Sequence, residues 1–99
     1  MQKESKFQSN LKKEIKAIYP RSICHKTDCG DIQGIPDLMV SNKGKVAYLE
    51  CKRSADAPHR PNQDYYVKYI NENDGFARFI YPENKEDVLN EMEAFFNGV

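Results

Sequence analysis

The stretch IPDLMVSNKGKVAYLECK, residues 35–52, restricts the fold of this chain more than any other part of it. Two largely apolar runs, residues 35–40 and 46–52, flank the polar run Ser41-Asn42-Lys43-Gly44. Runs of this length around a glycine-containing polar break read as strand, hairpin turn, strand. Pro36 stands at the start of the first strand, where a missing N–H is tolerated. The tight turn forces antiparallel pairing. The start of the first strand then lies beside the end of the second, which brings Asp37 close to Glu50. Side chains alternate along a strand, so Glu50 and Lys52 share one face, and Leu49 and Cys51 the other.

The elements around this hairpin follow from periodicity and punctuation. Phe7, Leu11, Ile15 and Ile18 recur at helical spacing and predict a helix over residues 4–18, ended by Tyr19-Pro20. Glu4 falls inside that apolar stripe, and Glu14 at its edge. A carboxylate on the core side of a helix calls for a partner or a metal. A first-turn carboxylate also suits a helix N-terminus without either. Residues 22–26 are a weak strand, and Cys29-Gly30-Asp31 with Gly34 reads as a loop. A loop with Pro58 and Pro61 spans residues 53–61. A second helix starts near Pro61, carries Tyr65, Tyr66, Tyr69 and Ile70, and stops at Asp74-Gly75. Residues 76–81 form a strand. Asn84, with Asp87 three residues on, caps a last helix whose stripe is Val88, Leu89, Met92 and Phe95 or Phe96. The order helix, three strands, helix, strand, helix is that of a small α/β domain with a mixed sheet.

Ninety-nine residues leave room for one domain and a limited core, so homodimerisation would bury useful surface. No apolar run approaches the ~20 residues of a membrane span, and the opening MQKESKFQSN is too polar for a signal peptide. Three cysteines, Cys24, Cys29 and Cys51, form no disulfide framework and suit a reducing, cytoplasmic setting. Cys24, His25 and Cys29 lack a fourth ligand for zinc. Net charge is zero, yet residues 1–27 hold seven basic against two acidic groups, and residues 72–99 two basic against seven acidic. A dipolar chain of this kind can turn a basic face to a polyanion; solvated helix faces account for the pattern equally well.

The hairpin end carries the chemistry. Two neighbouring carboxylates repel unless a cation lies between them. Oxygen donors without a histidine or thiolate cluster favour Mg²⁺ or Mn²⁺. Lys52 adds an ammonium that can acidify a water held by the ion or steady charge on a phosphorane. These are the parts that phosphodiester hydrolysis needs, although a plain cross-strand ion pair would use the same residue types. Arg53, His59, Arg60 and Lys68 flank the site as candidate phosphate contacts. Tyr65, Tyr66 and Tyr69 read as core or dimer contacts rather than base-stacking platforms. Asp28 and Asp31 are either loop residues or outer helpers of the site.

GIPD followed after a hairpin by LECK resembles the PD-(D/E)xK nuclease superfamily, and more narrowly the stand-alone viral type of the VRR-NUC family. ESKFQSNL resembles that family's first helix, with Glu4 and Gln8. Gln63 matches the glutamine that opens its second helix, and residues 75–88 resemble its closing strand and helix. The resemblance implies a restriction-endonuclease-like αβββαβα core spanning residues 1–99 as a single nuclease domain. It implies a Mg²⁺-dependent endonuclease, with Mn²⁺ able to substitute. Asp37, Glu50 and the backbone carbonyl of Cys51 would hold the metal, with Glu4 binding it through water or assisting a second ion. Lys52 would act on the water or the phosphate, and Gln63 would orient the water or Lys52. The family usually has a small apolar residue where this chain has Cys51. Stand-alone members are implied to be homodimers that cut four-way DNA junctions, in the host cytoplasm if viral. A flap or duplex nuclease of the same chemistry and a non-cleaving DNA-binding module are the alternatives.

Overall fold

Lys43 and Gly44 both adopt positive φ, 54° and 78°, as a two-residue hairpin loop of the primed type requires. The loop joins β2 (Leu38–Asn42) to β3 (Lys45–Cys51) and sets an antiparallel register running from Asn42↔Lys45 to Leu38↔Leu49. The computed structural model describes residues 3–27 and 31–98. Its other elements are α1 (Glu4–Ile18), β1 (Ile23–Lys26), α2 (Gln63–Glu72), β4 (Phe76–Ile80) and α3 (Lys85–Phe96). The four strands form one mixed sheet in the order β1-β2-β3-β4. β1 pairs antiparallel with β2, and β4 pairs parallel with β3. A parallel pair needs a crossover, which α2 supplies. The domain is therefore small α/β, with the element order that the sequence pattern predicts.

One face of the sheet carries the apolar core. Leu38, Val40, Ala47, Leu49, Cys51, Phe76 and Ile80 pack with Phe7, Leu11 and Ile15 of α1 and Val88, Leu89, Met92 and Phe96 of α3. Alternation along the strands turns Glu50 and its β4 partner Phe79 to the opposite face. α2 meets the sheet differently: its only fully buried residue is Gln63. At its far end, Asn71 accepts from the N–H of Ala77 at 2.9 Å and donates to the carbonyl of Ala77 at 2.8 Å. The amide thus occupies backbone groups of β4 that another strand would otherwise take.

Several boundaries differ from the sequence expectation. The turn is two residues long, not four, so Ser41 and Asn42 belong to β2. At its other end β2 starts at Leu38 rather than residue 35, because Pro36 has no N–H for the ladder. α2 starts at Gln63, two residues after Pro61, and Asn62 ahead of it sits at φ 70°. Tyr65 and Tyr69 are 59% and 51% exposed, so neither is a core residue. Among the described residues, no helix is long and apolar enough to cross a membrane.

Asn84 stands at the N-cap of α3 but makes no side-chain cap bond. Its Oδ1 accepts from Tyr81 N–H at 2.9 Å, and its Nδ2 donates to the Phe79 carbonyl at 3.0 Å. The amide fastens the β4–α3 connection instead of the helix end. A true N-cap would accept aspartate without loss. Here Asn84→Asp removes the donor to Phe79, and we expect it to lower the free energy of unfolding by about 1 kcal/mol, read from urea melts. A variant as stable as wild type would return Asn84 to the capping role.

Candidate active site

The register that ends at Leu38↔Leu49 places the next pair, Asp37 and Glu50, opposite each other. Asp37 lies just before β2, where its carbonyl accepts from Thr27 N–H at 2.9 Å. Its Oδ2 accepts from Cys51 N–H at 3.1 Å. In a strand the C=O of a residue leaves from the same edge as its N–H. The Cys51 carbonyl is therefore on the Asp37 side of β3, while the Cys51 side chain is in the core.

Glu50 is 2% and Lys52 3% exposed, and Gln63 is buried beside them. Gln63 Nε2 donates to Glu50 Oε2 at 2.8 Å. Gln63 Oε1 accepts from Lys52 Nζ at 2.7 Å and from Arg60 N–H at 2.8 Å. Lys52 and the Arg60 amide only donate, and a carboxylate only accepts, so one orientation of the glutamine amide satisfies all three. Lys52 Nζ also donates to the Pro58 carbonyl at 3.1 Å. Glu50 Oε2 lies 4.0 Å from Lys52 Nζ, an ion pair without a hydrogen bond.

Glu50 is left out of balance. Its Oε1 is buried and has no hydrogen-bond partner. Burial, then the charge of the adjacent Asp37, push its pKa from 4.5 up to about 8; Lys52 works against the rise, and Glu4 adds to it. The Cys51 thiol is pushed up first by burial and then by Asp37, Glu50 and Glu4, against a lowering hydrogen bond with Gln8. The first turns of α1 thus stand near the end of β3. A buried oxygen without a partner, beside a second carboxylate, is the donor set a hard divalent cation fits. Among the described residues no three His, Cys, Asp or Glu side chains gather as a metal cage. Glu4 bears on the pair through its charge, which adds to the rise at Glu50.

The remaining sequence candidates separate. His59 and Arg60 lie on the loop that bonds into the site through Pro58 and Gln63. Arg53 is exposed and bears electrostatically on Asp56. Lys68 is exposed, pairs with Glu72 at 4.0 Å, and lies 140° around α2 from Gln63 at 100° per residue. It is not brought to the site. Asp31 is exposed, whereas Asp28 and Cys29 lie outside the described residues. Three participants carry no sequence signal: the Pro58 carbonyl, the Arg60 N–H, and Gly34. Gly34 has φ 95°, and a Cβ there would stand 2.6 Å from Asn62 Cβ and 2.8 Å from the Pro61 carbonyl oxygen. Its backbone is pressed against the segment that delivers Gln63.

Compared with known proteins, the chain matches no family model and no curated protein.

Folding takes up a proton at Glu50, since its carboxyl is held to about 8 against 4.5 ordinarily. The stability this contributes is complete below about pH 4.5 and is lost as pH rises towards about 8. We expect the metal-free protein to lose on the order of a few kcal/mol across that window in urea melts. Millimolar Mg²⁺ should shrink the loss and Glu50→Gln should remove it. An unchanged pH slope in Glu50→Gln would place its cause elsewhere. Gly34→Ala should cost about 1–2 kcal/mol from backbone strain, and more from the contact with Asn62. It should also enlarge the amide chemical-shift changes at Gln63 and Arg60 beyond those at β1. Wild-type stability in that variant would show that the close approach is not maintained.

Proposed function

We propose that this chain is a metal-dependent, structure-selective DNA endonuclease of the VRR-NUC type, on a restriction-endonuclease-like core. We propose further that it acts as a homodimeric Holliday junction resolvase. The observation that carries the reading is the unpartnered buried oxygen of Glu50 beside Asp37, within bonding distance of a network that holds Lys52. A binding module would gain nothing from keeping a carboxylate with one unpartnered oxygen and an ammonium in one pocket, since each costs several kcal/mol to desolvate.

Asp37 and Glu50 Oε1 would hold the ion, with the Cys51 carbonyl on the same edge. When bound, a divalent ion supplies Lewis acidity and lowers the pKa of a coordinated water. Glu50 Oε2 stays engaged by Gln63, so the carboxylate is presented in one orientation. Lys52 has two of its three donors tied to Pro58 and Gln63 and one left to meet a phosphate oxygen, where charge grows during attack. The positive charge of α1 and its N-cap, where Lys3, Lys6, Lys13 and Lys16 are not buried, supports a polyanionic substrate. Two sites related by a two-fold axis would suit paired cuts on a symmetric branched substrate.

The test is cleavage of four-way junctions, flaps and linear duplex with Mg²⁺ or Mn²⁺. Junctions should be cut in preference. Asp37→Ala should abolish cutting while retaining junction binding, and Lys52→Ala should lower the rate by roughly 10²–10³-fold. Flap cleavage in preference to junctions would keep the chemistry and change the substrate. Binding without cleavage under either metal would overturn the enzyme reading.

A further inference from the structure

The loop over the site carries an imidazole that the network described above does not use. His59 lies between Pro58, whose carbonyl takes Lys52 Nζ, and Arg60, whose N–H bonds Gln63. Its ring is stacked flat on Phe79, with centroids 4.1 Å apart and planes at 14°. Phe79 is the β4 partner of Glu50. His59 Nδ1 is 2.8 Å from Asp64 Oδ1, on the first turn of α2. The His59 side chain is 34% exposed. Three constraints therefore orient one ring: the loop backbone, the aromatic face below it and the carboxylate at Nδ1. A carboxylate at Nδ1 fixes the proton there and leaves Nε2 to exchange a proton with something else.

Resting on the nuclease reading, we propose that His59 is the general acid of the reaction, and that Asp64 and Phe79 are its positioning residues. Asp37, Glu50 and Lys52 cover the ion and the phosphate. With those roles assigned, no group is left to protonate the departing sugar oxygen, which otherwise leaves as a poor alkoxide. In the proposed step the oxygen of water bonds to phosphorus while the water gives up one proton to solvent, and the P–O bond to the leaving sugar oxygen breaks. That oxygen keeps the electron pair and takes the proton from His59 Nε2, giving an alcohol. The imidazole becomes neutral and regains a proton from solvent. The groups that contact the ring are Asp64 from α2 and Phe79 from β4.

The decisive experiment uses two junction substrates, one with natural phosphodiesters and one with sulfur replacing the leaving oxygen at the cut site. End-group analysis of wild-type products identifies that position, and Mn²⁺ is used throughout. A thiolate leaves without a proton. His59→Gln should slow the natural substrate by about 10²-fold and the sulfur substrate less than about threefold. Asp64→Asn should show the same pattern in weaker form. Both variants should bind the uncut junction in Ca²⁺ as wild type does. Equal slowing of both substrates, or weakened binding that accounts for the rate, would overturn the assignment of His59 and leave the nuclease reading standing. A wild-type chain that cuts neither substrate would overturn both.

Discussion

The register of the β2–β3 hairpin is the constraint on which the rest of this molecule depends. A slip by one residue would turn either Leu38 and Val40 of β2 or Ala47, Leu49 and Cys51 of β3 out of the core. Each large apolar side chain among them contributes roughly 1.5–3 kcal/mol by its burial. The core on one face of the sheet thus holds Asp37 opposite Glu50 on the other, against their own electrostatic preference. A site that strains its own charges needs a scaffold with energy to spare, and the hairpin supplies it at the strand ends.

Gln63 turns that strained pair into an ordered pocket. Its amide faces an acceptor on one side and two donors on the other, so it links Glu50, Lys52 and the backbone of the site loop. A glutamate at this position would repel Glu50, and an asparagine would fall short by one methylene. The same contact anchors α2, which buries no other residue fully. Docking of the helix and organisation of the pocket are consequently one event. Loss of the loop's grip on Gln63 would loosen the helix start, and loss of the helix would free the loop.

Charge on the surface is unevenly spread. The basic first third of the chain lies largely on α1, whose opening turn is near the end of β3. The acidic last third lies on α3 and the turns flanking β4. Tyr65 and Tyr69, which the sequence pattern assigns to a core or an interface, stand on the outside of α2 with rings 6.1 Å apart. Their exposure follows from α2 resting on the sheet through Gln63 and the half-buried Tyr66, Val67 and Ile70 rather than through its tyrosine stripe.

The sequence by itself determined the order of the elements, the hairpin and the approach of Asp37 to Glu50. Those features follow from local rules: apolar periodicity, a glycine in the turn and the alternation of side chains in paired strands. It could not determine the two-residue length of the turn or the true task of Asn84, since several turn and cap geometries fit the same residues. Nor could it reveal the Pro58 carbonyl at Lys52, the close approach of Gly34 to Asn62 or the seat of His59 on Phe79. Those contacts join segments far apart in the chain or use backbone atoms that every residue type shares. Only packing the loop of residues 53–61 between the sheet and α2 decides which carbonyl, which N–H and which ring arrive at the pocket.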